Sequence, residues 1–234
     1  MLRLTPPGRL RFAQAPQFEI TFGGAEANVA VMLAQLGASV GFVTKLPENE
    51  LAQRAINELR GLGVDTRSIV RGGERMGVYF LEHGASQRAG KVIYDRAHSA
   101  IAEAQSGDFE WPQILAGAQW LHWSGITPAL SSSAVAIVAE ACGEAKRRGL
   151  TVSFDLNFRA KLWTREAAGQ ALTPLMKDVD LCITSVEEAR TVFGLQLDES
   201  ATGREEDAAR RLVERFGFKI IALTMRSADT ADVT

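Results

Sequence analysis

Long apolar runs are missing from this sequence of 234 residues. None reaches the roughly 18 residues that a membrane-spanning helix needs. The opening MLRLTPPGRL carries Arg3 and two prolines where a secretory signal has an apolar stretch. Cysteine is scarce. Cys142 and Cys182 lie among apolar neighbours, the pattern of buried thiols in a reducing compartment rather than of a disulfide framework. Neither sign of charge dominates: the formal net charge is −2 and the pI is near 6.0, so no global basic field draws nucleic acid or anionic lipid. The expectation is a cytoplasmic location, with no nucleic-acid and no membrane partner. The common chemical fingerprints are absent as well. There is no Walker A pattern, no GxGxxG, no HExxH, no CxxC pair and no GxSxG. His83, His98 and His122 are scattered, and His122, in an apolar strand pattern, reads as a hydrogen-bonded core residue before it reads as a ligand.

What remains is ordinary folded-protein material, 46% apolar and 23% charged, arranged in a recurring unit. An apolar helix ends in a glycine turn and leads into a short apolar strand. Residues 25–36 put Val29, Met32, Leu33 and Leu36 on one helical face, with SVGFVT following as a strand. Residues 48–60 repeat the helix. WLHWSG at 120–125, TVSFD at 151–155, DLCIT at 180–184 and KIIALT at 219–224 read as strands. Helices are expected from Ser131–Ser133 to Gly149, after Thr184, and over 205–216. This alternation predicts an α/β fold with a mostly parallel sheet covered by helices on both faces. Residues 8–22 and about 73–97 do not fit it. Their β-rich runs, RLRFAQ, FEITF, GVYFLEHG and KVIYD, predict a small sheet standing on the core as a lid.

Four stretches could carry chemistry. FGGAEANVAVMLAQLG leads through Gly23 and Gly24 into a helix N-terminus, with Asn28 in its first turn. Glycine lets a ligand approach the backbone, and free N–H groups there receive oxygens. The same spacing fits a plain strand-to-helix turn. SFDLNFRAKLW places Asn157 and Arg159 just past a strand end, where ligands of open α/β sheets collect; a local Asp155–Arg159 ion pair is the bland alternative. TSVEEA sets Ser185 and Glu188 three apart, suited to organising a hydrated Mg²⁺ or, equally, to a capping box. In VIYDRA, Tyr94 and Arg96 point the same way from a strand, toward a ligand or toward solvent.

Together these stretches resemble the PfkB (ribokinase-like) carbohydrate kinases. The matching segments are LRLTPPG at 2–8, GGAEANVA at 23–30, KLPEN at 45–49, YDRA at 94–97, LHWSGITPALS at 121–131, DLNFR at 155–159 and EEA at 187–189, in the family's order. The resemblance implies a three-layer α/β/α core with a β-lid that pairs between subunits, making a homo-oligomer. It implies transfer of the ATP γ-phosphoryl to a hydroxyl of a sugar acid, 2-keto-3-deoxygluconate in the branch matched best; a fructokinase-type sugar kinase and a non-catalytic sugar-acid binding module are the alternatives. By position, Gly23, Gly24, Asn28, Tyr94, Arg96, Asn157 and Arg159 would bind substrate. Ser185, Glu188, Thr224 and Arg226 would lie on the ATP and Mg²⁺ side, Glu188 meeting the metal indirectly. Serine stands at 185 where the family has asparagine. The family's Gly-Ala-Gly-Asp type turn, source of the anion hole and the general base, has no counterpart up to Thr234. The base is therefore expected beyond Thr234, residues 1–234 are expected to form one incomplete domain with its lid strands inserted, and this chain alone is expected to show no turnover.

Overall fold

The computed structural model describes residues 1–197 and 203–225, which fall into two compact units, 1–104 and 105–225. The first unit contains β1 (Leu2–Thr5), β2 (Glu19–Phe22), α1 (Ala25–Gln35), β3 (Thr44–Leu46), α2 (Glu50–Gly61), β4 (Ile69–Arg71), β5 (Val78–Glu82) and β6 (Lys91–Asp95). The second contains α3 (Trp111–Ile114), β7 (Trp120–Ser124), α4 (Ser132–Arg147), β8 (Thr151–Asp155), α5 (Arg165–Leu172), β9 (Leu181–Thr184), α6 (Val186–Phe193), α7 (Arg204–Phe216) and β10 (Ile220–Leu223).

In the first unit a mixed sheet runs β2-β1-β5-β6 and a parallel pair joins β3 to β4. Alternation along the strands sorts side chains to two faces. Leu2, Leu4, Phe22 and Val78 take one face and pack with Leu46, Ile69 and the inner side of α2, Ala52, Ala55 and Ile56. Asn49 starts α2, its Oδ1 accepting the Ala52 N–H at 2.9 Å. The other face is polar and carries Arg3, Thr21, Tyr79 and Tyr94 in register.

Three expectations change here. RLRFAQ is not a strand: residues 12–14 make one 3₁₀ turn, and the sheet begins at Glu19. The Phe12 N–H, instead of joining a ladder, donates to the Glu82 carboxylate at 2.9 Å, and the Phe12 ring meets Phe18 and Phe80. SVGFVT contributes only a bridge at Gly41 before pairing starts at Thr44. The apolar stripe of α1 is not core: Ala30 is buried, while Met32 is 53% and Leu36 77% exposed. A periodic stripe records what a helix is built to bury, but burial requires a facing surface.

In the second unit all four strands are parallel and their order is monotonic, β10-β9-β8-β7. Right-handed crossovers in a monotonic sheet stack the connecting helices on one face. Burial agrees. Val152, Phe154 and Cys182 point to the covered face and are fully buried, and α4 packs on β7 and β8 while α7 packs on β10. The opposite face presents Trp120 and Ile220, 51% and 54% exposed. His122 sits on that face as a hydrogen-bonded strand residue. Its Nδ1 shares a hydrogen bond with Ser153 Oγ at 2.8 Å, which also accepts the Trp120 indole N–H at 2.7 Å. The helices at 165–172 and 111–114, the 3₁₀ turn at 173–178 and strand β4 have no counterpart in the sequence reading.

Candidate active site

The polar face of the mixed sheet gathers several of the candidate residues. Tyr79 lies directly opposite Tyr94, their ring centroids 6.1 Å apart. The Arg96 guanidinium lies over the Tyr94 ring at 4.0 Å and the residue is buried, so VIYDRA does point both side chains one way. Gly23 closes the group. A Cβ there would stand 2.8 Å from the Tyr79 hydroxyl and 3.6 Å from Asn28 Oδ1, so the glycine, the phenol and the amide meet at one point. Gly24 is the N-cap of α1 and offers no side-chain cap, which leaves the first-turn N–H groups to other acceptors; the Asn28 N–H already bonds the Gly24 carbonyl at 2.8 Å. Sequence reasoning missed Tyr79. Alternation in GVYFLEHG sets Tyr79 apart from its neighbours' face, but only the β5–β6 register puts it opposite Tyr94.

The second group lies at the carboxyl ends of the parallel strands. Register places Ser124 beside Asp155, and Thr184 beside Leu223. Past these ends the chain is tightly built. Gly125 donates its N–H to the Asp155 carbonyl at 2.9 Å, and a Cβ on it would lie 2.2 Å from the Leu156 carbonyl oxygen. This glycine too escaped the sequence reading, although it stands in the SGITPALS segment. Asn157 takes a left-handed backbone, φ 41°, a conformation that asparagine tolerates better than most residues. The turn exposes Arg159, which donates to its neighbour's carbonyl and forms no ion pair among the described residues, so the Asp155–Arg159 pair is not found.

Glu188 locks this loop. One carboxylate oxygen accepts the Phe158 N–H at 2.9 Å; the other receives the Ser185 N–H at 3.2 Å and hydroxyl at 3.3 Å. Ser185 Oγ in turn accepts the Glu188 N–H, completing a capping box on α6. The Cys182 thiol behind them is pushed up to about 12, first by burial and then by the carboxylates of Asp155 and Glu188. Among the described residues no group of three His, Cys, Asp or Glu side chains could hold a metal ion. With three donors on its carboxylate, Glu188 is suited to orienting the loop rather than to ligating an ion directly. Thr224 donates from both N–H and hydroxyl to the Thr184 carbonyl, at 2.8 and 3.3 Å, extending the β9–β10 pairing past the strand end. Arg226 lies outside the described residues.

The sequence profile of the pfkB family carbohydrate kinases matches residues 8–226. A 2-dehydro-3-deoxygalactonokinase of Haloferax volcanii is 36% identical over 224 residues, covering 96% of this chain and 68% of that protein. A 2-dehydro-3-deoxygluconokinase of Thermoproteus tenax is 32% identical, covering 92% of this chain and 66% of its own length. Among solved structures, the 2-dehydro-3-deoxygluconokinase of Thermotoga maritima superposes with a TM-score of 0.96 at 47% identity, over 99% of this chain and 70% of that one. The chain thus spans about two thirds of the length of the proteins it matches.

Proposed function

The chain belongs to the pfkB family of carbohydrate kinases, and from that membership we propose that it binds a 2-keto-3-deoxy sugar acid and presents one hydroxyl of it for phosphorylation by ATP. The observation that carries the substrate class is the polar face of the mixed sheet. Two tyrosines, the Asn28 amide and the buried Arg96 cation gather around a glycine turn, in the unit that holds Gly23 and Gly24. Hydroxyl and amide groups suit the alcohols of a sugar, and a guanidinium suits a carboxylate. Within the other unit, the strand-end residues Asn157 and Arg159 offer an amide and a guanidinium suited to an anionic group, and the Ser185 and Thr224 hydroxyls suit the phosphate side of ATP. When bound, Mg²⁺ would neutralise phosphate charge. The donor set here fits that ion only through water on Glu188. The protein's own part is to hold the acid, to orient its hydroxyl and to keep the 155–159 loop in place.

Isothermal calorimetry on the 234-residue chain tests the reading. Binding of 2-keto-3-deoxygluconate is expected, with fructose weaker by at least tenfold. Fructose binding as tightly as the acid would turn the reading to a neutral-sugar kinase. We also propose that the apolar row Ile20, Leu4, Phe80 and Ile93, extended by Phe12 and Phe18, receives a second copy of the chain. Its support is that Phe18, Ile20 and Ile93 are exposed beside the aromatic cluster. A sedimentation coefficient that stays monomeric at high concentration, and does not respond to Ile93→Asp, argues against that contact.

A further inference from the structure

We propose that Arg3 is a second cation, beside Arg96, through which the mixed sheet senses the substrate's negative charge, and so a further specificity determinant. The inference rests on the sugar-acid reading and deepens it. Four strands place Thr21, Arg3, Tyr79 and Tyr94 side by side in one row on the polar face. Adjacent on that face are Gly23, whose missing Cβ makes room for the Tyr79 hydroxyl, and Arg96, stacked on Tyr94. Arg3 is therefore inside the group, one strand from the tyrosine that touches the glycine turn.

Its side chain is held in a way that leaves its recognition end open. Nε donates to Thr21 Oγ1 at 2.6 Å, fixing the guanidinium across the β1–β2 pair. The two terminal nitrogens have no hydrogen-bond partner among the described residues, and Arg3 makes no ion pair there. Glu19, the next same-face residue on β2, sits opposite Thr5 and is not bonded to Arg3. A half-buried guanidinium whose stem is already ordered loses little further freedom on binding, and its two free nitrogens match a carboxylate in bidentate fashion. Arg96 differs: its flat face is committed to Tyr94, and it is more deeply buried. Arg96 and Arg3 therefore stand at the two sides of the tyrosine pair, and Arg3 supplies the more accessible of the two charges.

The test is calorimetry on the 234-residue chain with 2-keto-3-deoxygluconate and with fructose, for the parent chain, Arg3→Met, Arg3→Lys, Thr21→Val and Arg96→Met, each checked by thermal melt. Arg3→Met is expected to weaken acid binding at least tenfold and fructose binding by no more than twofold. Arg3→Lys should recover part of the loss, since charge returns without the fork. Thr21→Val keeps the arginine but frees its stem, and should fall between parent and Arg3→Met. If Arg3→Met does not fold, the Lys and Val variants decide the matter by the same acid-against-fructose ratio. Equal loss for both sugars, or no loss for either, overturns the proposal. Loss of acid binding in Arg96→Met with Arg3→Met unchanged removes Arg3 alone and leaves the sugar-acid reading standing. A parent chain that binds the acid no better than fructose removes both.

Discussion

Gly23 and Gly125 show two different reasons for a missing side chain. At Gly23 the obstacle to a Cβ is the hydroxyl of Tyr79, the far end of a side chain that can swing away. Gly23→Ala should therefore leave the melting temperature within a few degrees while displacing Tyr79 from the polar face, with about tenfold weaker acid binding by calorimetry. At Gly125 the obstacle is backbone, the Leu156 carbonyl oxygen, and neither partner can yield without moving the 155–159 loop. Gly125→Ala should cost about 3 kcal/mol or more in urea unfolding; a loss under about 1 kcal/mol would mean the loop is looser than its geometry indicates. The two cysteines act at the same scale in the opposite sense. Burial pushes both thiols up to about 12, so they serve as small apolar residues and should resist maleimide until the chain is unfolded.

At the scale of elements, α6 shows how a spacing that suggests metal chemistry can be spent on structure. Ser185 and Glu188 cap each other, and the same carboxylate takes the Phe158 N–H from the loop after β8. Ser185→Ala should cost about 1 kcal/mol, the usual worth of an N-cap hydroxyl. Glu188→Ala should cost more than Ser185→Ala in the same denaturant titration, because the Phe158 N–H also loses its acceptor. If the two substitutions cost the same, the loop does not depend on Glu188. A clamp within the first unit follows the same logic: Glu82 joins the Phe12 N–H to Arg88 at 2.8 Å and so ties the 3₁₀ turn to the β5–β6 hairpin.

At the scale of the whole molecule, Asp180 links most of the second unit. Its carboxylate accepts from the Val152 N–H and from Lys146 and Lys219, and its carbonyl accepts the N–H groups of Lys219 and Ile220. Burial alone would raise its titration point, but the Val152 N–H and the two ammonium groups outweigh it and hold the carboxyl down to about 2, against 3.8 for an ordinary aspartate. A carboxyl lowered on folding contributes stability that is fully present above its unfolded value. That contribution is lost as pH falls from about 4 through about 2. The parent chain should therefore lose stability steeply over that window, and Asp180→Asn should be less stable at pH 7 but flatter between pH 4 and 2. Parallel curves for the two would exclude this linkage. The exposed Trp120, Ile220, Met32 and Leu36 set a second whole-molecule expectation. The 234-residue chain should bind anilinonaphthalene sulfonate in its folded state, with fluorescence that falls on Trp120→Ser combined with Leu36→Ser. A folded chain giving no dye signal would show these side chains to be covered in solution.

The four strands of the second unit and its helices at 132–147, 186–193 and 204–216, the polar face of VIYDRA and the turn at Gly23 were legible in the sequence, because each follows from local periodicity and from the conformational freedom of glycine. Residues 151–155, 186–193 and 204–216 fold as their patterns indicate. Other features depended on partners distant along the chain. Phe12 turns into a 3₁₀ helix because Glu82, 70 residues away, takes its N–H. Tyr79 and Arg3 join the candidate site only through strand register, and Gly125 is obligatory only because Leu156 passes over it. Local sequence sets which face a side chain takes; which strand lies beside it, and therefore which groups can act on one ligand, is decided by long-range pairing that no single segment encodes.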